Sequence, residues 1–139
     1  MAQLVRELMT DRPVTLSADT PVQQAATTMR DAGIGAVLVM DGDEMCGIVT
    51  DRDIVVRALA DRSDLSGCTL REVCSERLVT ARPDEEAGNA IARMREHAVR
   101  RIPVLDGERP IGMLSIGDAA TDRDPNSALA DISAARGNT

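Results

Sequence analysis

The chain repeats itself. Displaced by 65 residues without a gap, Val5 to Asp53 falls on Leu70 to Asp118 with 14 identities in 49 positions. Arg6-Glu7 meets Arg71-Glu72, Val14-Thr15 meets Val79-Thr80, Met29-Arg30 meets Met94-Arg95, and Asp41-Gly42 meets Asp106-Gly107. Gly47 and Asp53 meet Gly112 and Asp118. Two copies at so long a period do not make a solenoid, so the chain is a duplicated module. At 139 residues it has the size of one compact domain, or of two small units sharing a core.

Within each copy the local signals come in one order. A short helix, Leu4 to Met9 or Leu70 to Cys74, precedes a short extended segment, Pro13 to Leu16 or Leu78 to Ala81. A helix is then expected to open at Thr20-Pro21 or Pro83-Asp84, with proline or an acid in its first turn. Its apolar positions Val22, Ala25, Ala26 and Met29, matched by Ala87, Ala90, Ile91 and Met94, share one helical face and predict its burial. Two hairpins follow, AVLVM to MCGIV through Asp41-Gly42-Asp43 and RIPVL to IGML through Asp106-Gly107-Glu108. After Thr50 or Ser115 comes a last helix, expected to be long in the first copy (Asp51 to Ala60) and short in the second (Asp118 to about Thr121). These signals divide the chain into repeat one (2–62), a joint (63–69), repeat two (70–123) and a polar tail (124–139) whose last residues should fray.

Composition limits what such a module can do. There is no Phe, Tyr or Trp, so the core is aliphatic, filled by Val, Ile, Leu, Ala and seven Met, and no base can stack on a ring. Every basic residue is Arg, and sixteen of them against twenty-three acids leave a net charge of −7, which disfavours nucleic acid and acidic membranes. No run of eighteen apolar residues and no basic leader occurs, so a cytoplasmic protein is expected. Cys46, Cys68 and Cys74 lack metal-like spacing, and His97 is the single histidine, placed near a helix end where a surface cation is ordinary. Cys46 and Cys74 fall on the apolar Ile111 and Met9, which marks them as buried filler, and Cys68 lies in the joint.

The segments Gly47-Ile48-Val49-Thr50-Asp51-Arg52-Asp53 and Gly112-Met113-Leu114-Ser115-Ile116-Gly117-Asp118 share the pattern G-h-h-[ST]-x-x-D, with h apolar. A capping box, in which the hydroxyl accepts from the backbone N–H three residues on and the acid there accepts from the cap's own N–H, would account for the Thr/Ser and Asp pair. The glycine, the preceding apolar strand and the recurrence in both copies are not demanded by capping, which leaves room for a ligand grip.

Helix, strand, helix, hairpin and G-h-h-[ST]-x-x-D in tandem resemble a pair of cystathionine-beta-synthase (CBS) domains, a Bateman module. The resemblance covers residues 2 to 122 and includes Ile34-Gly35-Ala36 and Arg100-Arg101-Ile102-Pro103-Val104. It is nearest the small stand-alone CBS-pair proteins of bacteria. It implies an α/β (α+β) fold of two βαββα-type repeats packed about a pseudo-twofold axis, and a homodimeric disc of four repeats. It further implies clefts for an adenosine-containing regulatory ligand, AMP, ADP, ATP, NAD(H) or S-adenosylmethionine, with no cofactor required. By the same resemblance Asp53 or Asp118 would accept from ribose hydroxyls, and Thr50 or Ser115 would meet the ribose or first phosphate. The Asp53 cleft would draw Val79, Thr80 and Arg100, Arg101, Ile102 and Pro103 from repeat two. The Asp118 cleft would draw Val14, Thr15, Gly35, Ala36 and Val37 from repeat one.

A helix N-terminus presents N–H groups and partial positive charge, so the cap itself suits a phosphate. Arg100 and Arg101 read either as a solvated hairpin edge or as a phosphate fork, and their counterparts Gly35 and Ala36 carry no charge, so the two clefts should differ. On that basis the Asp53 cleft is expected to prefer phosphorylated ligands. Arg52 stands where repeat two has Gly117 and would add a phosphate contact or simply face solvent. The leading expectation is a regulatory ligand sensor acting on an unknown protein partner in trans; the alternative is a dimeric scaffold without a physiological nucleotide. Catalysis finds little support, because there is one His, no nucleophile elbow, no P-loop and no metal cluster in the pattern.

Overall fold

The computed structural model of the chain describes residues 3–61, 64–75 and 79–123, the last three of these by backbone alone. The expected tail, Leu78 and parts of the joint lie outside them. Two compact units form, and they do not follow the two halves of the sequence: among the described residues one gathers 3–13 and 79–123, the other 14–75.

In the unit 14–75, β2 (Thr15–Ser17) lies parallel to β3 (Ala36–Asp41), and β3 pairs antiparallel with β4 (Glu44–Thr50). A parallel pair needs a crossover, which α2 (Val22–Ala32) supplies. The expected apolar face is buried at Val22, Ala25 and Met29. Ala26 is exposed, a correction to that face: its single methyl gains little by burial, and the stripe narrows to i, i+3, i+7. Gly33, in the left-handed region at φ 66°, ends the helix, and Ile34 N–H donates to Met29 O at 3.0 Å. Val37, Leu38 and Val39 are all buried, so both faces of β3 are covered. The core is aliphatic as the composition requires, with Cys68 and Cys74 among its buried members and Cys46 packed half-buried against it.

After Thr50 the chain makes one helical turn, α3 (Asp51–Asp53), then widens into a π-helical stretch, Ile54–Leu59, closed by Ala60 N–H to Val55 O at 3.0 Å. The sequence carries no signal for this widening, since Ile, Val and Ala serve either winding. Ile54 and Ala58 face the core, whereas Val55, Val56 and Leu59 are exposed.

The second unit repeats this plan with its own core around Val5, Ala90, Met94, Ile102, Val104 and Leu114. The hairpin of β5 (Arg101–Asp106) and β6 (Arg109–Ser115) pairs at its outer edge with β1 (Thr10–Asp11). The extended segment expected before the second helix of this repeat is only a bridge, Ala81 to Val104. Pro103 is the reason: it occupies the position of Leu38, whose N–H donates to Val14 O at 2.9 Å, and proline has no N–H to give. The helix expected from Pro83-Asp84 instead starts later, as α5 (Ala87–Glu96). The intervening carbonyls are taken by the N-terminal segment, with Val5 N–H on Glu85 O and Arg6 N–H on Pro83 O, both at 3.0 Å. The last helix, α6 (Ile116–Arg123), opens directly at the Ser115 cap and has eight residues. That overturns the expectation of a short helix from Asp118, because Ile116 and Gly117 complete its first turn.

The helix that leads each repeat therefore serves the other repeat's unit. α1 (Val5–Leu8) packs with α5, α6 and β6, and α4 (Leu70–Val73) packs with the π-helix. Beyond α4, Ser75 N–H donates to Ile48 O at 3.0 Å, the counterpart of β1 against β6. Arg71 on α4 reaches Asp41 at 2.9 Å and Asp19 at 3.3 Å, and its guanidinium holds the Asp41 carboxyl below the usual carboxylate range. Among the described residues, no helix is long and apolar enough to cross a membrane.

Candidate functional site

β2 and β3 run parallel and β4 antiparallel, so the starts of the first two and the end of the third meet at one end of the sheet. That end gathers Val14, Thr15, Gly35, Ala36, Val37 and Thr50. Ala36 is the register partner of Thr50, and Asp51 N–H donates to Gly35 O at 3.0 Å. The second unit builds the same end from Val79, Thr80, Arg100, Arg101, Ile102, Pro103 and Ser115. Arg101 is the register partner of Ser115, and Ile116 N–H donates to Arg100 O at 2.9 Å.

The capping box is complete in both. Asp53 N–H donates to Thr50 Oγ1 at 3.1 Å, and Thr50 N–H donates to Asp53 Oδ2 at 2.9 Å. In repeat two, Asp118 N–H donates to Ser115 Oγ at 3.1 Å and Ser115 N–H donates to Asp118 Oδ2 at 3.0 Å. Each carboxylate thus spends one oxygen on its own cap. The other oxygen of Asp53 has Arg57 Nε at 3.8 Å, one turn on and too far for a hydrogen bond. Arg57 falls on Asp122 in the repeat, so repeat two has an acid where repeat one has this cation. Asp53 is mostly sheltered, its side chain 17% exposed.

The glycine of the pattern has a packing cause. A Cβ on Gly47 would lie 2.6 Å from Ser75 O and 2.8 Å from Cys74 Sγ, and one on Gly112 would lie 2.5 Å from Met9 Sδ and 3.0 Å from Thr10 O. Both glycines let the exchanged segment cross the hairpin at backbone distance. The recurrence of glycine therefore reports the exchange of leading helices, and it adds nothing to the case for a ligand.

Arg52 is exposed, with its N–H on Asp51 Oδ1 at 2.8 Å, and Gly117 lies in the first turn of α6. Arg100 and Arg101 are exposed and flank Ser115, not Thr50, within one sheet. Val79, Thr80 and Arg100 to Pro103, expected in the Asp53 cleft, belong to the unit of Asp118; Val14, Thr15 and Gly35 to Val37 belong to the unit of Asp53. His97 caps the C-terminus of α5 and is exposed. Among the described residues, no group of three or more His, Cys, Asp and Glu is placed to hold a metal ion.

One pair at this end escaped sequence reasoning. Glu85 and Arg93 form a two-pronged contact, Nη1 to Oε1 at 2.8 Å and Nη2 to Oε2 at 2.7 Å, and Arg93 Nη2 also donates to Thr80 O at 3.0 Å. Burial alone would push the Glu85 carboxyl up, but hydrogen bonds from Arg93 and from the Arg82 amide outweigh it and hold the group below its usual range. Their spacing of eight was no signal, because Glu85 lies in the turn outside the helix.

A family model for the CBS domain matches residues 5–59 and 70–121. The chain is 33% identical over 133 residues to the CBS domain-containing protein YhcV of Bacillus subtilis, covering 93% of this chain and 94% of that one. A solved structure of a protein with CBS domains from Burkholderia ambifaria is 32% identical with a TM-score of 0.75, over 84% of this chain and 85% of the other. The CBS domain pair of protein MJ0100, solved with 5′-methylthioadenosine and S-adenosyl-L-methionine, shares the fold at 22% identity and a TM-score of 0.80, over 91% and 100%. With both repeats matched and the match running nearly end to end, the chain belongs to the CBS-domain family as a tandem CBS pair.

Proposed function

We propose that the chain is a regulatory module that binds an adenosine-containing ligand at the sheet ends carrying Thr50–Asp53 and Ser115–Asp118, and passes its occupancy to a protein partner. The observation that carries the reading is the division of labour in Asp53: Oδ2 closes the cap while, among the described residues, Oδ1 keeps a cationic neighbour at 3.8 Å. A ribose diol needs such an acceptor. The adenosine compounds bound by the CBS pair of MJ0100 support the same class of ligand. The two ends differ in charge, with Arg100 and Arg101 beside Ser115 and Gly35 and Ala36 beside Thr50, so they select ligands of different phosphate content.

Titration calorimetry with AMP, ADP, ATP, NADH and S-adenosylmethionine tests this on the wild type, Asp53→Asn and Asp118→Asn. Asparagine can still accept from the cap N–H through its oxygen, but it turns the second acceptor into a donor. Loss of binding in a variant that melts like the wild type supports the reading. Undiminished binding in both, or none of the five bound by folded nucleotide-free protein, refutes it.

A second reading, a dimeric scaffold, draws on Val55, Val56 and Leu59, exposed on the π-helical stretch of the unit 14–75. Sedimentation of the wild type against Leu59→Glu decides it: a homodimer that dissociates in the variant supports a role for this surface, and a wild-type monomer removes it.

A further inference from the structure

We propose that Arg93, gripped by Glu85, is the positioning residue for the Val79–Thr80 arm beside Ser115–Asp118, supplying the anchor that strand pairing supplies in the other unit. The inference rests on the reading that this end holds a ligand. In the unit of Asp53 the arm is a strand: Val14 O accepts from Leu38 N–H at 2.9 Å, and Thr15 to Ser17 pair along β3. In the unit of Asp118, Pro103 cannot make the first of these bonds, and the sheet regains the arm only at Ala81, whose N–H donates to Pro103 O at 2.9 Å. Thr80, immediately before that point, is held from α5 by Arg93 Nη2 at 3.0 Å.

The guanidinium can act as a fixed strut because its orientation is set elsewhere. Both of its Nη atoms bond Glu85, and Glu85 Oε2 is itself fixed by Arg82 N–H at 2.7 Å. The repeat-one counterparts of Glu85 and Arg93 are Thr20 and Thr28, and the Thr28 hydroxyl donates to Gln24 O within its own helix. The strut therefore occurs only where proline has removed the ladder bond. Arg93 acts on the site through the Thr80 backbone.

Two variants test this in the full chain, each on an Asp53→Asn background that silences the other end. Arg93→Met should speed hydrogen exchange at the Ala81 amide about tenfold, leave the Leu38 amide unchanged, and weaken AMP binding about tenfold, the loss expected for a charge-assisted hydrogen bond. The charge swap Glu85→Arg with Arg93→Glu restores an ion pair, but the carboxylate placed at position 93 cannot donate to the Thr80 carbonyl, so melting recovers while affinity does not. Unchanged exchange at Ala81, or affinity that returns with the swap, overturns the proposal. If wild-type protein binds none of the nucleotides, the ligand reading fails, and exchange at Ala81 still decides whether Arg93 anchors the arm.

Discussion

Replacing Gly47 by alanine should damage the fold far more than the same change at Gly112, although the two glycines occupy one position of the repeat. The new methyl at 47 would sit 2.6 Å from the carbonyl oxygen of Ser75 and 2.8 Å from Cys74 Sγ. Backbone must move roughly 0.8 Å to restore ordinary contact. That retreat stretches the Ser75 N–H to Ile48 O bond from 3.0 Å past the range of a useful hydrogen bond. Overpacking of this kind costs about 1–3 kcal/mol and the lost bond about 1 kcal/mol, so about 3 kcal/mol in all, or a fall of about 10 °C in Tm for a chain of this size. At Gly112 the nearest atom is the thioether of Met9, which can swing aside, and the backbone carbonyl of Thr10, at 3.0 Å, need give by only about 0.4 Å. The cost there should be about 1 kcal/mol. Urea and thermal unfolding of the two variants measure the difference. Equal losses, or a larger one at Gly112, would refute the contrast between a rigid backbone stop at Gly47 and a yielding side chain at Gly112, and no loss at either would refute the account of the glycines as crossing points for the exchanged segments. Gly47→Ala should also leave ligand affinity intact wherever the protein is folded, because the glycine serves packing and not the site.

Ala98 holds φ 53° where repeat one has Gly33, so Ala98→Gly should stabilise the chain by about 0.5–1 kcal/mol, read as a rise in the urea midpoint. Thr50→Ala removes the hydroxyl of the capping box and should cost about 1 kcal/mol, with Thr50→Ser close to wild type. Because the folded Glu85 carboxyl titrates below its ordinary value of 4.5, its share of stability is complete above that pH and is lost as pH falls through the lower folded value. Arg93→Met should therefore flatten the acid limb of a stability profile, and an unchanged limb would count against the pair.

What the sequence made legible was local. Hairpins were announced by Asp-Gly turns whose glycines indeed take φ 65°, and helix faces by Val22, Ala25 and Met29 and their repeats, because these preferences act over a few residues. Which unit a leading helix joins is a long-range choice between two similar partners, and periodicity is silent on it. Gly47 and Gly112 carried the only trace of the exchange, and reading them as part of a ligand motif concealed it. Pro103, visible in RIPVL, was the signal that repeat two would lose its first strand. The start of α5 at Ala87 was hidden because the turn before it is held by residues some eighty positions away, at Val5 and Arg6. For the site, the cap was legible in full, while the Glu85–Arg93 strut was not, since its partners share no periodic face.

The most direct test of the ligand reading is a nitrogen-proton NMR titration of the full chain with AMP and with S-adenosylmethionine, following the amides of Thr50, Asp53, Ser115 and Asp118. Saturable shifts at one or both of these pairs, lost at the corresponding pair in Asp53→Asn or Asp118→Asn, are the predicted result. Saturable binding that leaves all four amides still, or no binding at all, would contradict it.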